Sequence, residues 1–332
     1  MKALRYALGM AAGILLAGLI AFYLMFVAAR GRTPEIAGDN SIASLEQIEL
    51  GGMPQWVLIR GRDQDKPVVL FLHGGPGMPA MYLAHDFQRQ MENDFVMVHW
   101  DRRGAGKSFD MGGELTVSQT LADTLELAQH LVDRFGQPRI YLVGHSWGSY
   151  LGLLAARERP SLFHAFVGTG QMAGSRADVQ AARAAFAAQK NVAAGKLTED
   201  DLFRLGGELF GETSFWPILQ TGLFAPEYTF RDALNVGKGA SRVGRDMQYD
   251  VEPRPHEGDI DSIAVPVFFL LGRHDYNTPS QLAADYLERM DSPLKRVSWF
   301  EQSAHFPFWE EPAKFHAALL QIDQNVRTSS IR

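Results

Sequence analysis

The chain has 332 residues, a net charge of −6 and no cysteine, and 46% of its residues are hydrophobic. With a pI near 5.9 it lacks the basic surplus expected of a nucleic-acid binder. The missing cysteines exclude disulfides and thiol catalysis. A single large domain with an insertion fits the length.

In chain order the first signal is Ala7 to Ala29, a stretch with no charged residue after Lys2 and Arg5. About 20 apolar residues cross a bilayer, whereas the apolar part of a cleavable signal runs to about 7–15. Residues 1–30 are therefore predicted to form an N-terminal transmembrane helix, a single-pass anchor that makes the membrane a partner. Lys2, Arg5 and the free amino group stand against Arg30 and Arg32, which favours an extracytoplasmic catalytic domain. The small residues Val27-Ala28-Ala29 leave a second reading, a secreted or periplasmic protein released by signal cleavage.

Residues 31–43 read as a linker. Ser44–Arg60 and Pro67–Leu72 read as the first strands, and the second runs into His73-Gly-Gly-Pro-Gly77, a tight glycine-rich loop. Such a loop upstream of a nucleophile suits an oxyanion hole, because fixed backbone N–H groups stabilise the charge that acyl transfer builds on a carbonyl oxygen. The amide of Gly75, or of its neighbour Gly74, is the candidate, paired with that of Trp147. The next loop, Asp101 to Ser108, ends in Gly-Lys-Ser, but aspartate stands where a phosphate-binding loop needs its first glycine. A structural role follows, with Asp101 and Arg103 bracing the loops.

Ile140–Val143 reads as a buried strand and Tyr150–Arg157 as a helix, and between them lies a G-x-S-x-G pentapeptide, Gly144 to Gly148. That context is a nucleophile elbow, with Ser146 presented at a strained turn. A serine nucleophile needs a base, and the base an acid. Val265–Gly272 reads as a strand that delivers Asp275 to the following loop, and Val297–Phe300 as another that delivers His305. The order serine, aspartate, histidine is the one known for α/β-hydrolases. His274, Asp261 and Asp291 are weaker competitors, and His73 and His145 are assigned to packing or loop hydrogen bonding. Glu310 and Glu311 read as surface helix starters. Gln171 to Asp259 is rich in helix formers, with helices over Ala177–Ala194 and Thr198–Phe210, and reads as a cap. The expected organisation is a hydrolase core of residues 44–170 and 260–332, with a helical cap over 171–259. No cofactor is required, and no histidine spacing suggests a metal site.

Three motifs, His73-Gly-Gly-Pro-Gly77, Asp101-Arg-Arg-Gly-Ala-Gly-Lys-Ser108 and Gly144-His-Ser-Trp-Gly-Ser149, resemble the prolyl aminopeptidase (proline iminopeptidase) branch of the α/β-hydrolases. The resemblance covers roughly residues 45–325, and the middle third matches only as an insertion. It implies a mostly parallel sheet flanked by helices, and cleavage of an N-terminal proline or small apolar residue from short peptides through an acyl-enzyme. It also implies acidic cap residues that hold the substrate's α-amino group, for which Glu208 and Glu212 are candidates, with Trp216 in the same aromatic stretch. An esterase, lactonase or amidase acting on small acyl substrates is the alternative, and a catalytically silent binding module the third reading.

Overall fold

The computed structural model of the chain describes residues 2–23, 30–192, 197–246 and 260–329. Its body is an eight-stranded sheet in the order β1-β2-β4-β3-β5-β6-β7-β8. The strands are β1 (Ile42–Leu50), β2 (Met53–Gly61), β3 (Val68–Leu72), β4 (Val96–Trp100), β5 (Ile140–His145), β6 (Phe163–Thr169), β7 (Val267–Gly272) and β8 (Lys295–Phe300). The stretch Ser44–Arg60 is a hairpin, because Gly51 and Gly52 both take positive φ (56° and 73°) and close a two-residue turn between β1 and β2. β2 also pairs antiparallel with β4, and every pairing from β4 to β8 is parallel.

Parallel strands need crossovers, and helices supply them. In chain order the helices are α1 (Lys2–Tyr23), α2 (Ala84–Phe87), α3 (Val117–Phe135), α4 (Trp147–Glu158), α5 (Arg176–Gln189), α6 (Glu199–Arg204), α7 (Trp216–Phe224), α8 (Phe230–Asp246), α9 (Ser280–Arg289), α10 (Pro307–Glu310) and α11 (Pro312–Ser329). Both faces of the sheet are covered, so the central strands are apolar without interruption. Val68, Leu70 and Leu72 of β3, with Ile140 and Leu142 of β5, pack with Leu127 of α3 and Leu151 of α4. Val69, Phe71, Tyr141 and Val143 point the other way, into a second core with Phe315 and Leu319 of α11.

Helices α5–α8 lie between β6 and β7. The helix expected over Thr198–Phe210 ends at Arg204, because Gly206 takes φ 75° and the chain turns there. The helix expected over Ala177–Ala194 is α5, and residues 193–196 and 247–259 of this stretch lie outside the described residues.

The expected membrane span needs correction. Among the described residues no helix is long and apolar enough to cross a membrane. α1 is nonetheless a helix with exposed apolar side chains, among them Ile14, Leu15, Leu19 and Phe22. Residues 24–29 of the expected Ala7–Ala29 span, and the side chains of Ala7 and Leu8, lie outside the described residues. The chain rejoins the body at Gly31 and Arg32, whose amides donate to the Pro226 carbonyl at 2.8 and 3.3 Å.

Candidate active site

Because β3, β5, β7 and β8 run parallel, the loops after their carboxyl ends share one edge of the sheet, where ligands bind in open α/β sheets. The loop after β3 brings His73–Gly77, that after β5 brings Ser146, that after β7 brings Asp275, and that after β8 brings His305. Ser146 is the N-cap of α4 with φ 52° and ψ −123°, a conformation that costs a non-glycine residue about 1–3 kcal/mol. Three contacts hold it: its amide donates to Thr169 O at 3.0 Å, while Ser149 N and Ser149 Oγ donate to its carbonyl at 2.8 and 2.6 Å. The bracketing glycines are a matter of space. A Cβ on Gly148 would stand 2.2 Å from Leu72 O, and one on Gly144 2.4 Å from Gly148 O.

His305 is 2% exposed, and its Nδ1 lies 2.8 Å from Asp275 Oδ2. Asp275 Oδ1 accepts from the amides of Asn277 and Thr278 at 2.9 Å each, and Oδ2 from Thr278 Oγ1 at 2.9 Å. The carboxylate is thus fixed before it meets the ring, and Nδ1 carries the proton donated to it. Burial alone would push the His305 imidazolium down, but the charges of Asp275 and Glu208 and the Asp275 hydrogen bond outweigh it, raising the group to about 9. His145 Nε2 donates to the His305 carbonyl at 3.0 Å. Its own titration is pushed well down, by burial first and then by the His305 charge, so it stays a neutral brace.

Ser146 and His305 line one cavity of about 330 Å³, together with Gly74, Gly75, Tyr82, Phe203, Glu208 and Phe215. Gly74 lies hard against Ser146, since a Cβ there would stand 2.8 Å from Ser146 Cβ. Trp147 supplies the first N–H of α4, one of the groups a helix leaves without an internal acceptor. The cavity thus brings together a serine hydroxyl, a buried imidazole backed by a carboxylate, and the glycine-rich loop.

Of the residues expected to meet the substrate, Glu208 is in the cavity and Glu212 and Trp216 are not. Glu208 is 8% exposed, and its Oε1 accepts from Asn277 Nδ2 at 3.0 Å. Burial drives its carboxyl up to about 7 against the pull of the His305 charge. Glu212 is exposed beyond a turn at Gly211, and Trp216 is 59% exposed on an outer groove. With α6 ending at Arg204, positions 208 and 212 share no helix face.

The bracing of the glycine-rich loop also differs from expectation. Arg103 pairs with Asp123 of α3 at 2.6 and 2.9 Å. Asp101 accepts from Lys107 N at 2.8 Å and from Tyr228 Oη of the insertion. The side chain that reaches the glycine-rich loop is Arg102, whose Nη2 donates to His73 O at 2.7 Å and whose guanidinium stacks over the Trp147 ring at 4.7 Å. The run Asp101-Arg102-Arg103 offers two adjacent arginines, and nothing in their spacing distinguishes them. Glu310 is half-buried and does more than start a helix. Its Oε2 accepts from Ala304 N and Phe306 N at 3.0 Å each, on both sides of His305, and its Oε1 from Phe210 N at 2.6 Å. Glu311 likewise accepts from Gln302 N and Ser303 Oγ. A glutamate pair before Pro312 gives no sequence signal of this clamp.

Residues 67–312 match the family described as alpha/beta hydrolase fold. The chain belongs to the α/β-hydrolase fold family. This hydrolase is 30% identical over 305 residues to a probable aminopeptidase, YbaC, of Bacillus subtilis (strain 168), covering 84% of this chain and 96% of the relative. It is 23% identical to a proline iminopeptidase of Heyndrickxia coagulans over 76% of this chain and 88% of that one. A crystal structure of a proline iminopeptidase-related protein from Thermus thermophilus superposes with a TM-score of 0.62 at 19% identity, covering 87% of the hydrolase and 99% of that chain. The resemblance to prolyl aminopeptidases that the motifs suggested thus extends along the chain.

Proposed function

We propose that the hydrolase is a serine aminopeptidase that removes an N-terminal proline or small apolar residue from short peptides. The observation that carries this reading is Glu208, a buried residue whose carboxylate is the one acidic group lining the largely apolar cavity that holds Ser146 and His305, and whose carbonyl accepts from His305 N at 3.0 Å. A substrate ammonium would meet its Oε2, while Met78, Tyr82, Phe203 and Phe215 receive the first side chain. His305 takes the proton of Ser146 as the hydroxyl oxygen attacks the scissile carbonyl, and Asp275 holds the resulting imidazolium. The amides of Gly75 or Gly74 and of Trp147 receive the oxyanion. Collapse of the tetrahedral adduct breaks the C–N bond, His305 returns the proton to the leaving amine, and water hydrolyses the acyl-enzyme by the same sequence. Helices α5–α8 act as the cap, and α1 holds the enzyme at a membrane.

The apolar lining also favours a second reading, an esterase or amidase for small acyl groups. Hydrolysis of proline and alanine arylamides, their N-acetylated forms and a short-chain aryl ester separates the two. Arylamide turnover that falls on acetylation and vanishes in Ser146→Ala is expected. Turnover of the ester alone would replace the aminopeptidase reading, and activity surviving in Ser146→Ala would remove the nucleophile.

A further inference from the structure

Among the described residues, every strongly exposed large apolar side chain lies either on α1 or between Phe210 and Leu234. Scattered exposed apolar side chains are ordinary, but their collection on one face is not. Trp216 and Leu219 lie one turn apart on α7, 59% and 41% exposed, and Phe224 ends that helix, 65% exposed. Phe230 and Leu234, one turn apart on α8, are 58% and 50% exposed. The two helices are adjacent: Trp216 and Leu219 share an apolar groove with Ala233 and Val236.

We propose that this outer face of α7 and α8 docks on a phospholipid bilayer surface, seating the enzyme at the lipid boundary. Three observations choose lipid over a protein partner. First, the chain coming from α1 is pinned to this very face, since Pro226, which accepts from Gly31 N and Arg32 N, lies between Phe224 and Phe230. Tyr23 ends α1 eight residues before Gly31, and eight extended residues reach at most about 28 Å. A bilayer covers α1 and the face together, which a protein groove fitted to one of them does not. Second, the exposed side chains are tryptophan, phenylalanine and leucine, the types that interfacial segments bury at the acyl boundary. Third, the stripe Phe230, Leu234 continues at the same spacing to the exposed Lys238, whose ammonium can extend to a headgroup phosphate.

The face also adjoins the catalytic cavity. The Tyr82 ring lines both that cavity and the outer groove, and Phe215 faces the cavity while Trp216 faces the groove. Docking therefore places the wall of the substrate pocket at the lipid boundary.

The chain has no cysteine, so a single introduced thiol carries one label. Leu219→Cys, Phe230→Cys and, on exposed α3 far from the insertion, His130→Cys are made in the full chain. Each is labelled with an environment-sensitive fluorophore and mixed with phosphatidylcholine–phosphatidylglycerol vesicles with or without a nitroxide on the upper acyl chain. Labels at 219 and 230 should brighten several-fold and lose most of that gain to the nitroxide, while the label at 130 stays dim. Replacing Phe224 and Phe230 with serine should lower vesicle partitioning by about tenfold per residue. Vesicle binding with dim, unquenched labels at 219 and 230 would overturn the proposal, leaving α1 as the sole attachment. So would absence of vesicle binding, brightening at 130 to the same extent, or brightening without lipid that tracks protein concentration, which would make the face a contact between copies. None of these readouts depends on catalysis.

Discussion

Glu208→Gln tests the assignment at its narrowest point, because the substitution should act in opposite directions on two substrates. In the wild type Oε1 is occupied by Asn277 Nδ2 at 3.0 Å, which leaves Oε2 for the substrate ammonium. The amide keeps the size and the Asn277 contact but removes the charge. A hydrogen bond to a charged group is worth about 1.5–3 kcal/mol, so KM for proline or alanine arylamide should rise by about 10- to 150-fold. The same charge is one of those that raise His305 to about 9. Only neutral imidazole accepts the serine proton, so wild-type kcat/KM for an amine-free aryl ester should climb with pH towards about 9. Without the Glu208 charge the imidazolium is less stable, its pKa falls, and that limb moves to lower pH. At pH 7 the variant should therefore hydrolyse the ester faster and the arylamide more slowly than wild type. The assay is kcat and KM for both substrates across pH 6 to 10. Equal losses on both, or an unchanged arylamide KM, would refute the ammonium-binding role.

Two neighbouring arginines should fail differently. Arg102→Met frees the loop carrying His73–Pro76 and should cost about two to three orders of magnitude in kcat, as loss of an oxyanion donor does, with KM nearly unchanged in steady-state kinetics. Arg103→Met leaves the buried Asp123 without its cation, held only by the side-chain amides of Gln55 and Gln119, which should cost about 3 kcal/mol in urea unfolding while activity per folded molecule persists. Asp275→Asn removes the charge facing His305 Nδ1 while keeping the shape, and kcat should fall by about 10⁴, read with the same ester. Gly272→Ala places a Cβ 1.9 Å from Ala304 O, displacing the loop that carries His305. A shift of about 1 Å there should lower kcat about 100-fold, and a stopped-flow burst measurement should locate the loss in acylation.

What is local was legible in the sequence. The elbow could be read because Gly144 and Gly148 answer a contact between adjacent elements: the missing side chains let α4 lie against β3, and only glycine satisfies that space. Asp275 and His305 could be read because each follows an apolar strand, and parallel strands deliver their following loops to one edge of the sheet. Arg102 and Glu310 gave no such sign. Arg102 works on the carbonyl of a loop 29 residues away, and Glu310 on amides of its own loop and of Phe210, 100 residues away; side-chain contacts to such backbone groups leave no periodicity behind. The same reason separates Glu208 from Glu212: both are glutamates in one aromatic stretch, and turns at Gly206 and Gly211 decide that one is buried beside His305 and the other is exposed. The sequence by itself determined the fold and the elbow that presents Ser146, because these follow from patterns within single elements. The tertiary structure decided which charged side chains enter the cavity and which brace it, because burial is set by how segments distant in the chain, such as residues 203–215 and the loops after the strands, pack around one cavity.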